Sequence, residues 1–253
     1  MWWIAVVAII AIVVALAAKF LKAENIIYPY RDLSNRLVKS APFLDRIKNF
    51  PSARNFEANW EAIRDEILAV IRSDAELPQF SDIDPTQKPL TNYGGVPWYT
   101  YMLMAYGNWV ENNATRCPLT SRLIRQDPRI TTAMFSIIPG GKEIPPHRGL
   151  FKGVLRYHLG LKTPRSEGCY ILVGGEKYSW KEGEGVLFDD TFLHEVKNTT
   201  DELRIVLFLD VVRQDSPAII RLIDRGMYQM AKNSRRAQAA ARRAETFKPA
   251  VTN

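Results

Sequence analysis

Cysteine and histidine are scarce in this sequence. Its 253 residues include 2 cysteines, Cys117 and Cys169, and 3 histidines. Two cysteines are too few for a disulfide-stabilised domain, and neither belongs to a Cys-x-x-Cys pair, so a zinc site of the usual cysteine spacing is also excluded. Because 47% of the residues are hydrophobic, the chain can fold around an ordinary core, which excludes a disordered or fibrous protein.

Acidic residues are outnumbered by basic ones. The sequence has 34 Lys and Arg against 27 Asp and Glu, a formal net charge of +7, which favours an anionic partner. The excess is concentrated in residues 232–253, where one acid, Glu245, stands among Lys232, Arg235, Arg236, Arg242, Arg243 and Lys248. No internal repeat and no nucleic-acid-binding motif accompany these residues, so we predict no nucleic-acid partner. A solvated basic helix and a contact with an anionic membrane surface both remain open.

One long stretch lacks charged side chains altogether, from Met1 to Ala18. As a helix, this stretch extends roughly 27 Å, close to the thickness of about 30 Å of a membrane hydrocarbon core. No Lys or Arg precedes it, which favours an uncleaved anchor over a cleaved signal peptide. Lys19 and Lys22 follow it, so the positive-inside rule predicts a single-pass protein of the inner membrane whose remaining residues face the cytoplasm.

Composition and periodicity divide the chain into four segments. We predict a transmembrane anchor over residues 1–22, a linker over 23–55, a folded domain over 56–230 and a basic C-terminal tail over 231–253. The domain begins with an amphipathic helix, since apolar residues recur every three or four positions from Phe56 to Ile71. Short alternating runs separated by glycines then fill residues 130–212, a pattern typical of a β-sandwich or jelly roll.

All three histidines, His147, His158 and His194, lie in this β-rich block. His147 stands at a turn before one predicted strand, and His194 follows a strand and a turn. Two histidines at strand edges can be brought together at the mouth of a jelly roll. Neutral imidazoles with open coordination positions suit non-haem Fe(II), whose usual protein ligands are two histidines and one carboxylate.

The carboxylate of such a site is missing from its usual position, two residues after the first histidine, where this sequence has Gly149. Asp189 and Asp190 precede His194 by five and four residues and could contribute, although a role in the turn or in contacting the ligands fits them better. The site is therefore predicted to have two protein ligands. We expect Gly149→Asp to supply the missing carboxylate and to bind iron at least as tightly.

Two arginines stand in apolar strands near these histidines. Alternation along a strand puts Arg156 and His158 on one face, and Arg204 begins the run RIVLFLD. A buried guanidinium is unfavourable unless it meets a carboxylate. An internal salt bridge would satisfy each arginine, but two inward arginines beside two metal ligands point to a small dianionic co-substrate.

Two long motifs carry a family resemblance. HRGLFKGVLRYHLGL (147–161) and the W..GEG..FDDTFLHEVKNTTDELRIVLFLD run (180–210) resemble the aspartyl/asparaginyl β-hydroxylase family of Fe(II)- and 2-oxoglutarate-dependent dioxygenases. The resemblance spans about residues 130–212 and implies a mainly β, double-stranded β-helix fold (a cupin-like jelly roll) with flanking α-helices and, in this chain, an N-terminal transmembrane helix. It implies that His147 and His194 bind iron, with glycine in place of the carboxylate. It further implies that 2-oxoglutarate is contacted by Ser136, Arg156, His158 and Arg204.

The resemblance also indicates the reaction and its substrate. It implies hydroxylation that uses Fe(II), O2 and 2-oxoglutarate as co-substrate. The run from Leu155 to Leu161 and the predicted anchor are similar to bacterial relatives that hydroxylate lipid acyl chains, among them lipid A and ornithine-lipid hydroxylases. We therefore expect hydroxylation of a membrane-lipid acyl chain, at C2, next to an anionic membrane surface. The alternatives are β-hydroxylation of Asp or Asn in a protein or peptide, and an inactive, membrane-tethered binding module.

Overall fold

Two antiparallel β-sheets pack face to face in this protein. The computed structural model describes residues 24–73 and 76–247. The strands are β1 (Phe43–Leu44), β2 (Tyr99–Ala105), β3 (Asn108–Trp109), β4 (Ile130–Ile138), β5 (Glu143–His147), β6 (Val154–Lys162), β7 (Cys169–Val173), β8 (Glu176–Ser179), β9 (Gly185–Phe188), β10 (His194–Asn198) and β11 (Arg204–Val212). The first sheet has the order β1-β9-β6-β11-β4-β2-β3, and the second has the order β5-β10-β7-β8.

Helices flank the first sheet. They are α1 (Glu24–Leu37), α2 (Arg46–Asn49), α3 (Ala53–Ala58), α4 (Trp60–Ser73), α5 (Phe80–Ile83), α6 (Lys88–Thr91), α7 (Glu111–Arg116), α8 (Pro118–Arg125), α9 (Ala218–Lys232) and α10 (Arg235–Thr246), with short 3-10 turns at Pro85–Gln87 and Tyr93–Gly95. Helix α4 buries Ile63, Ile67 and Val70 against the first sheet. The sheet is therefore covered by helices on one face and by the second sheet on the other.

Strand β11 contributes side chains to both faces of the first sheet. Its residues Ile205, Leu207 and Leu209 belong to the hydrophobic core shared with the helices. The alternate residues Val206 and Phe208 belong to the core between the two sheets. A strand that is buried on both sides reads as a continuous apolar run, and the polar residues in such a run are the ones that need explaining.

The predicted mainly β class with flanking helices is confirmed, while two details differ from the sequence pattern. The helix predicted from Phe56 to Ile71 is in fact α3 and α4, because Asn59 leaves helical geometry with φ −114° and ψ 16°, and Asn is a weak helix former. The segment predicted as a linker, 23–55, contains α1, β1 and α2. The segment also carries part of the core, since Phe50 after α2 and Ala53 at the start of α3 are fully buried.

The predicted fold class also included an N-terminal transmembrane helix, and this part is corrected. Residues 1–22, to which the prediction applied, lie outside the described residues. Within the described ranges, no helix combines the length and the apolar character that crossing a membrane requires. The fold class that the structure supports is mainly β with flanking helices.

The residues predicted as a basic C-terminal tail, 231–253, are described as far as Phe247 and include helix α10. This helix is packed on the domain through Ala237, Ala240 and Ala244, which are buried. Arg236 forms an ion pair with Asp84 at 2.6 Å. Part of the positive charge of this segment is thus paired with an acidic residue of the domain.

A buried ion network ties the ends of three strands together. The carboxylate of Asp189, directly after β9, forms ion pairs with Arg213, directly after β11, and with Lys152, two residues before β6. Asp189 and Arg213 are fully buried, and the Lys152 ammonium lies 2.6 Å from the carboxylate. Burial by itself raises the pKa of Asp189, but Arg213 and Lys152 outweigh it and hold this pKa below its ordinary value of 3.8. The network fixes the loop that leads to His194.

Replacing Arg213 by Met should lower the free energy of unfolding by about 3–5 kcal/mol at neutral pH, because it removes one partner from a buried ion pair. Urea unfolding measures this change. In the matched variant Lys181→Met, which removes an exposed pair with Glu184, the loss should stay below about 1 kcal/mol.

The pH dependence of this difference follows from the lowered pKa of Asp189. A carboxyl whose folded-state pKa is depressed stabilises the fold fully above its unfolded pKa and loses that contribution as the pH falls through its folded pKa. The difference between the wild type and Arg213→Met should therefore shrink below about pH 4. A difference that is constant down to pH 2 would contradict the network's role.

Candidate functional site

His147 and His194 lie side by side on neighbouring strands of the second sheet. They are directly opposed in the β5–β10 register, and their ring centroids are 4.1 Å apart. Nδ1 of His147 donates to the carbonyl oxygen of Pro145 at 2.8 Å, and Nδ1 of His194 donates to that of Phe192 at 3.0 Å. A carbonyl can only accept, so both Nδ1 atoms carry the hydrogen and both Nε2 atoms keep a free lone pair.

The electrostatics keep both imidazoles neutral. Burial lowers the pKa of His147, and burial together with His147 and Arg156 lowers the pKa of His194 to about 3. Neutral imidazoles are the form that binds a metal. In the described part of the chain, no group of three or more His, Cys, Asp or Glu could hold a metal ion. The assignment of His147 and His194 as the two metal ligands stays a prediction.

The carboxylate of Asp190 occupies the space beside Gly149. A Cβ atom on Gly149 would overlap both carboxylate oxygens of Asp190, and the Gly149 amide donates to the Asp190 carbonyl at 2.7 Å. Oδ2 of Asp190 lies 3.0 Å from Arg156, whereas Oδ1 is buried and has no hydrogen-bond partner among the described residues. Burial raises the pKa of Asp190 to about 6 against the opposing effect of Arg156.

The expectation for Gly149→Asp stays a prediction, and this arrangement adds a steric condition to it. An added side chain has no room unless Asp190 moves, so the variant would displace one carboxylate in order to introduce another. The two aspartates before His194 also differ in their surroundings. Asp189 is held in the structural ion network, and Asp190 is the one that lies next to the histidine loop.

Arg204 is the one predicted co-substrate residue with an uncompensated charge. Its side chain is 1% exposed, lies 4.5 Å above the Trp180 ring and donates from Nη1 to the carbonyl and hydroxyl oxygens of Ser136 at 3.3 and 3.4 Å. Across the described ranges, Arg204 forms no salt bridge, and its Nε has no hydrogen-bond partner. Burial lowers the pKa of Arg204 to about 10. An internal salt bridge is thus not the explanation for this buried charge.

His158 lies on the same inner face as Arg204. Its strand register places it opposite Phe208, and its ring is 6.0 Å from Trp180 and 5.0 Å from Phe188. Both ring nitrogens are buried without a partner among the described residues. Burial, followed by the positive charges of Arg204 and Arg156, holds the pKa of His158 well below its ordinary value, so the ring is neutral.

Arg156 differs from Arg204 because it is paired. Its Nη2 lies 3.0 Å from Asp190, and its Nε lies 3.0 Å from Asp210. In this structure Arg156 is a salt-bridge partner, the alternative that the sequence left open. Its predicted contact with a co-substrate stays a prediction.

Sequence reasoning did not assign a role to two tryptophans of this site. Trp98 donates from Nε1 to the Ser136 hydroxyl at 2.9 Å, and Trp180 stacks on Arg204 while its own Nε1 is buried without a partner in the described ranges. The signal for Trp180 was its place at the start of the second motif. Trp98 stands in an aromatic stretch of the sequence that favours a core role over a substrate wall, and its contact with Ser136 joins positions far apart along the chain.

Comparisons with known proteins identify the family. Residues 57–214 match the family model described as aspartyl/asparaginyl beta-hydroxylase. The chain is 39% identical over 198 residues to the ornithine lipid ester-linked acyl 2-hydroxylase of Rhizobium tropici, covering 78% of this chain and 68% of that protein. It is 34% identical over 163 residues to the human aspartyl/asparaginyl beta-hydroxylase, covering 62% of this chain and 20% of that protein.

Among solved structures, the chain is similar to a Cupin 2 conserved barrel domain protein from Salinispora arenicola CNS-205, with 14% identity and a TM-score of 0.31 over 52% of this chain and 84% of that chain. The family model covers more than half of the 253 residues. The relatives that it matches are named hydroxylases, so the prediction of an enzyme is confirmed. The chain belongs to the aspartyl/asparaginyl beta-hydroxylase family and is a hydroxylase of the dioxygenase class.

Proposed function

We propose that this protein is an Fe(II)- and 2-oxoglutarate-dependent hydroxylase that acts on the acyl chain of a membrane lipid. The observation that carries the proposal is Arg204, a buried guanidinium without a carboxylate partner in the described ranges, in the same inter-sheet space as two neutral imidazoles with free Nε2 atoms. A buried charge of this kind calls for an anion. A dicarboxylate can supply the anion for Arg204 with one carboxylate and reach a metal on His147 and His194 with its other end.

In this proposal each side chain has a defined task. His147 and His194 hold Fe(II), and Arg204 with Ser136 binds the distal carboxylate of 2-oxoglutarate. Arg156 and His158 contact the other end of the co-substrate, His158 through a hydrogen bond from its neutral ring. When bound, the metal supplies the activation of O2 that couples decarboxylation of the 2-oxo acid, to succinate and CO2, with hydroxylation of a C–H bond.

The remaining side chains of the site shape its interior. The rings of Trp180, Phe188 and Phe208 surround His158 within 6.0 Å. They exclude water from the co-substrate end, which strengthens the ionic contacts of Arg204. Trp98 fixes the hydroxyl of Ser136 through its hydrogen bond, so that the oxygen is oriented before the co-substrate arrives.

The substrate class is supported by the Rhizobium tropici relative, which is named an ester-linked acyl 2-hydroxylase. We therefore propose C2 of an acyl chain, in an ornithine-type lipid or in lipid A. Such a substrate brings the enzyme to a membrane surface, and we expect that surface to be the cytoplasmic face of the inner membrane. The competing proposal is β-hydroxylation of Asp or Asn in a protein or peptide, which the name of the human relative favours.

Mass spectrometry of cellular lipids decides between these substrates. Cells that express the protein should contain acyl chains with one added oxygen, and cells that express His194→Ala should not. The same cells provide hydrolysed protein for the detection of hydroxylated Asp or Asn. Unchanged lipids together with hydroxylated Asp or Asn would reject the lipid proposal and support the competing one.

Replacing His147 or His194 by Ala should abolish Fe(II) binding, because each change removes half of the protein donors. Anaerobic titration with Fe(II) and 2-oxoglutarate measures this binding through a weak visible charge-transfer band. Both variants should still unfold cooperatively in urea, since neither side chain is part of the buried ion network. An undiminished band in either variant would remove that histidine from the metal site.

Replacing Arg204 by Met should weaken 2-oxoglutarate binding by roughly 10- to 100-fold, since one charge-assisted contact is lost. Its stability should stay the same or rise, because the change removes a buried charge that has no internal counter-ion in the described ranges. Anaerobic titration and urea unfolding provide the two measurements. The exposed Arg165→Met is the control and should change neither value. A stability loss of about 3–5 kcal/mol in Arg204→Met would instead identify a structural ion pair.

A further inference from the structure

Six large apolar side chains are exposed around the mouth of the site. Helix α1 contributes Leu33 and Leu37, and helix α9 contributes Ile219 and Leu222. Leu150 and Leu193 belong to the two loops that carry the metal-binding histidines, three residues after His147 and one before His194. We call this set the apolar collar: Leu33, Leu37, Leu150, Leu193, Ile219 and Leu222. Their exposures range from 40% to 53%, and a group of exposed apolar side chains is informative where a single exposed leucine is not.

Hydrogen bonds show that the parts of the collar are neighbours. The Thr191 hydroxyl donates to Oδ1 of Asn35 in α1 at 3.1 Å, and its carbonyl accepts from Arg148 at 3.1 Å. The hydroxyl of Tyr30 in α1 donates to Asp224 in α9 at 2.7 Å. Both histidine loops and both helices are therefore neighbours in the fold, and each of them exposes apolar side chains of the collar.

A cavity of about 510 Å³ borders the collar at Leu222. It lies between α9 and the ends of β6 and β11, and its walls combine apolar side chains with charged ones: Phe151, Val154, Val212 and Leu222 with Arg129, Arg213, Arg221, Asp224 and Arg225. Val154 and Val212 are opposite each other in the register, two residues beyond the Arg156–Asp210 pair on each strand, so they continue the inner row of the site. The volume is within the range of small-molecule sites, and the wall side chain Leu222 also belongs to the collar.

The unpaired charges near the collar, among the described residues, are positive. Arg36 and Lys39 at the end of α1, Arg148 beside His147 and Arg225 in α9 are exposed, and they form no ion pair among the described residues. The acids of the same helices are already used, since Asp32 pairs with Arg31 at 3.0 Å and Asp224 is buried. An apolar face bordered by Lys and Arg is the combination that binds an anionic lipid surface. A second copy of this chain would bring the same cations to the contact and repel.

We propose that the apolar collar docks on an anionic lipid bilayer and holds the 510 Å³ cavity against it. A lipid acyl chain then passes from the bilayer into the cavity and along Val154 and Val212 toward the histidines without crossing water. The assignment of a lipid acyl chain to the cavity rests on the proposed function. Docking itself requires no turnover.

Site-specific fluorescence tests the docking. The full chain carries a polarity-sensitive nitrobenzoxadiazole label at L33C or L222C in the collar, or at Y93C as the control. Tyr93 is equally exposed, at 48%, but it lies next to Lys142, at the opposite end of β5 from His147. The native thiols Cys117 and Cys169 are buried. With phosphatidylglycerol vesicles, the collar labels should brighten and shift to the blue, and the label at Tyr93 should not change.

Two matched charge variants test the role of the cations. R36Q/K39Q/R225Q should lower the apparent affinity for phosphatidylglycerol vesicles by roughly 100-fold, because each cation near an anionic surface contributes about fivefold. K88Q/R165Q/K181Q removes three exposed cations away from the collar and should leave the affinity nearly unchanged. Equal responses to phosphatidylcholine and phosphatidylglycerol vesicles would overturn the electrostatic part of the proposal.

Several results would overturn docking itself. Collar labels that do not respond to vesicles, or respond no more than the label at Tyr93, would reject the surface. A blue-shifted emission before vesicles are added would show that the collar is already covered, by a second copy if the emission depends on protein concentration and by the chain itself if it does not. Lipid hydroxylation without docking would reject the collar alone, and docking without lipid hydroxylation would reject the proposed function alone.

Discussion

The burial of the first sheet on both of its faces is the constraint on which the rest of this structure depends. Because β11 lies in the middle of that sheet, its alternate side chains must satisfy two different cores. The face toward the helices is filled by Ile205, Leu207 and Leu209. The face toward the second sheet accommodates Arg204 and Asp210 among apolar residues. The helical core supplies stability, which leaves the inter-sheet space free to carry charge.

The two arginines in the space between the sheets differ in how their charges are balanced. Arg156 has two carboxylates within 3.0 Å, so its charge is balanced within the protein. Arg204 has a serine, a tryptophan ring and no salt bridge in the described ranges. A protein rarely keeps a buried charge without a counter-ion, and the imbalance lies beside Trp180 and His158. The family membership and this imbalance both support the proposed use of 2-oxoglutarate.

The histidine pair, the carboxylate of Asp190 and the apolar collar meet at one end of the sandwich. The β5–β10 register opposes His147 and His194, and the turn after β9 brings Asp190 against Gly149. The same two loops expose Leu150 and Leu193 to solvent. Chemistry and surface recognition are thus linked by short stretches of backbone, so a substrate held at the collar is already close to the donors.

The sequence by itself determined the mainly β class, the family and the set of polar residues in apolar strands, because alternation and motif spacing are local properties of the chain. The pairing of Arg156 with Asp190 and Asp210, the isolation of Arg204 and the roles of Trp98 and Trp180 were decided by the tertiary structure. The tertiary structure also decided the break between α3 and α4 at Asn59 and the lack of room for a side chain at Gly149. Each depends on which atoms from distant segments occupy the same few ångströms, and no local pattern specifies that.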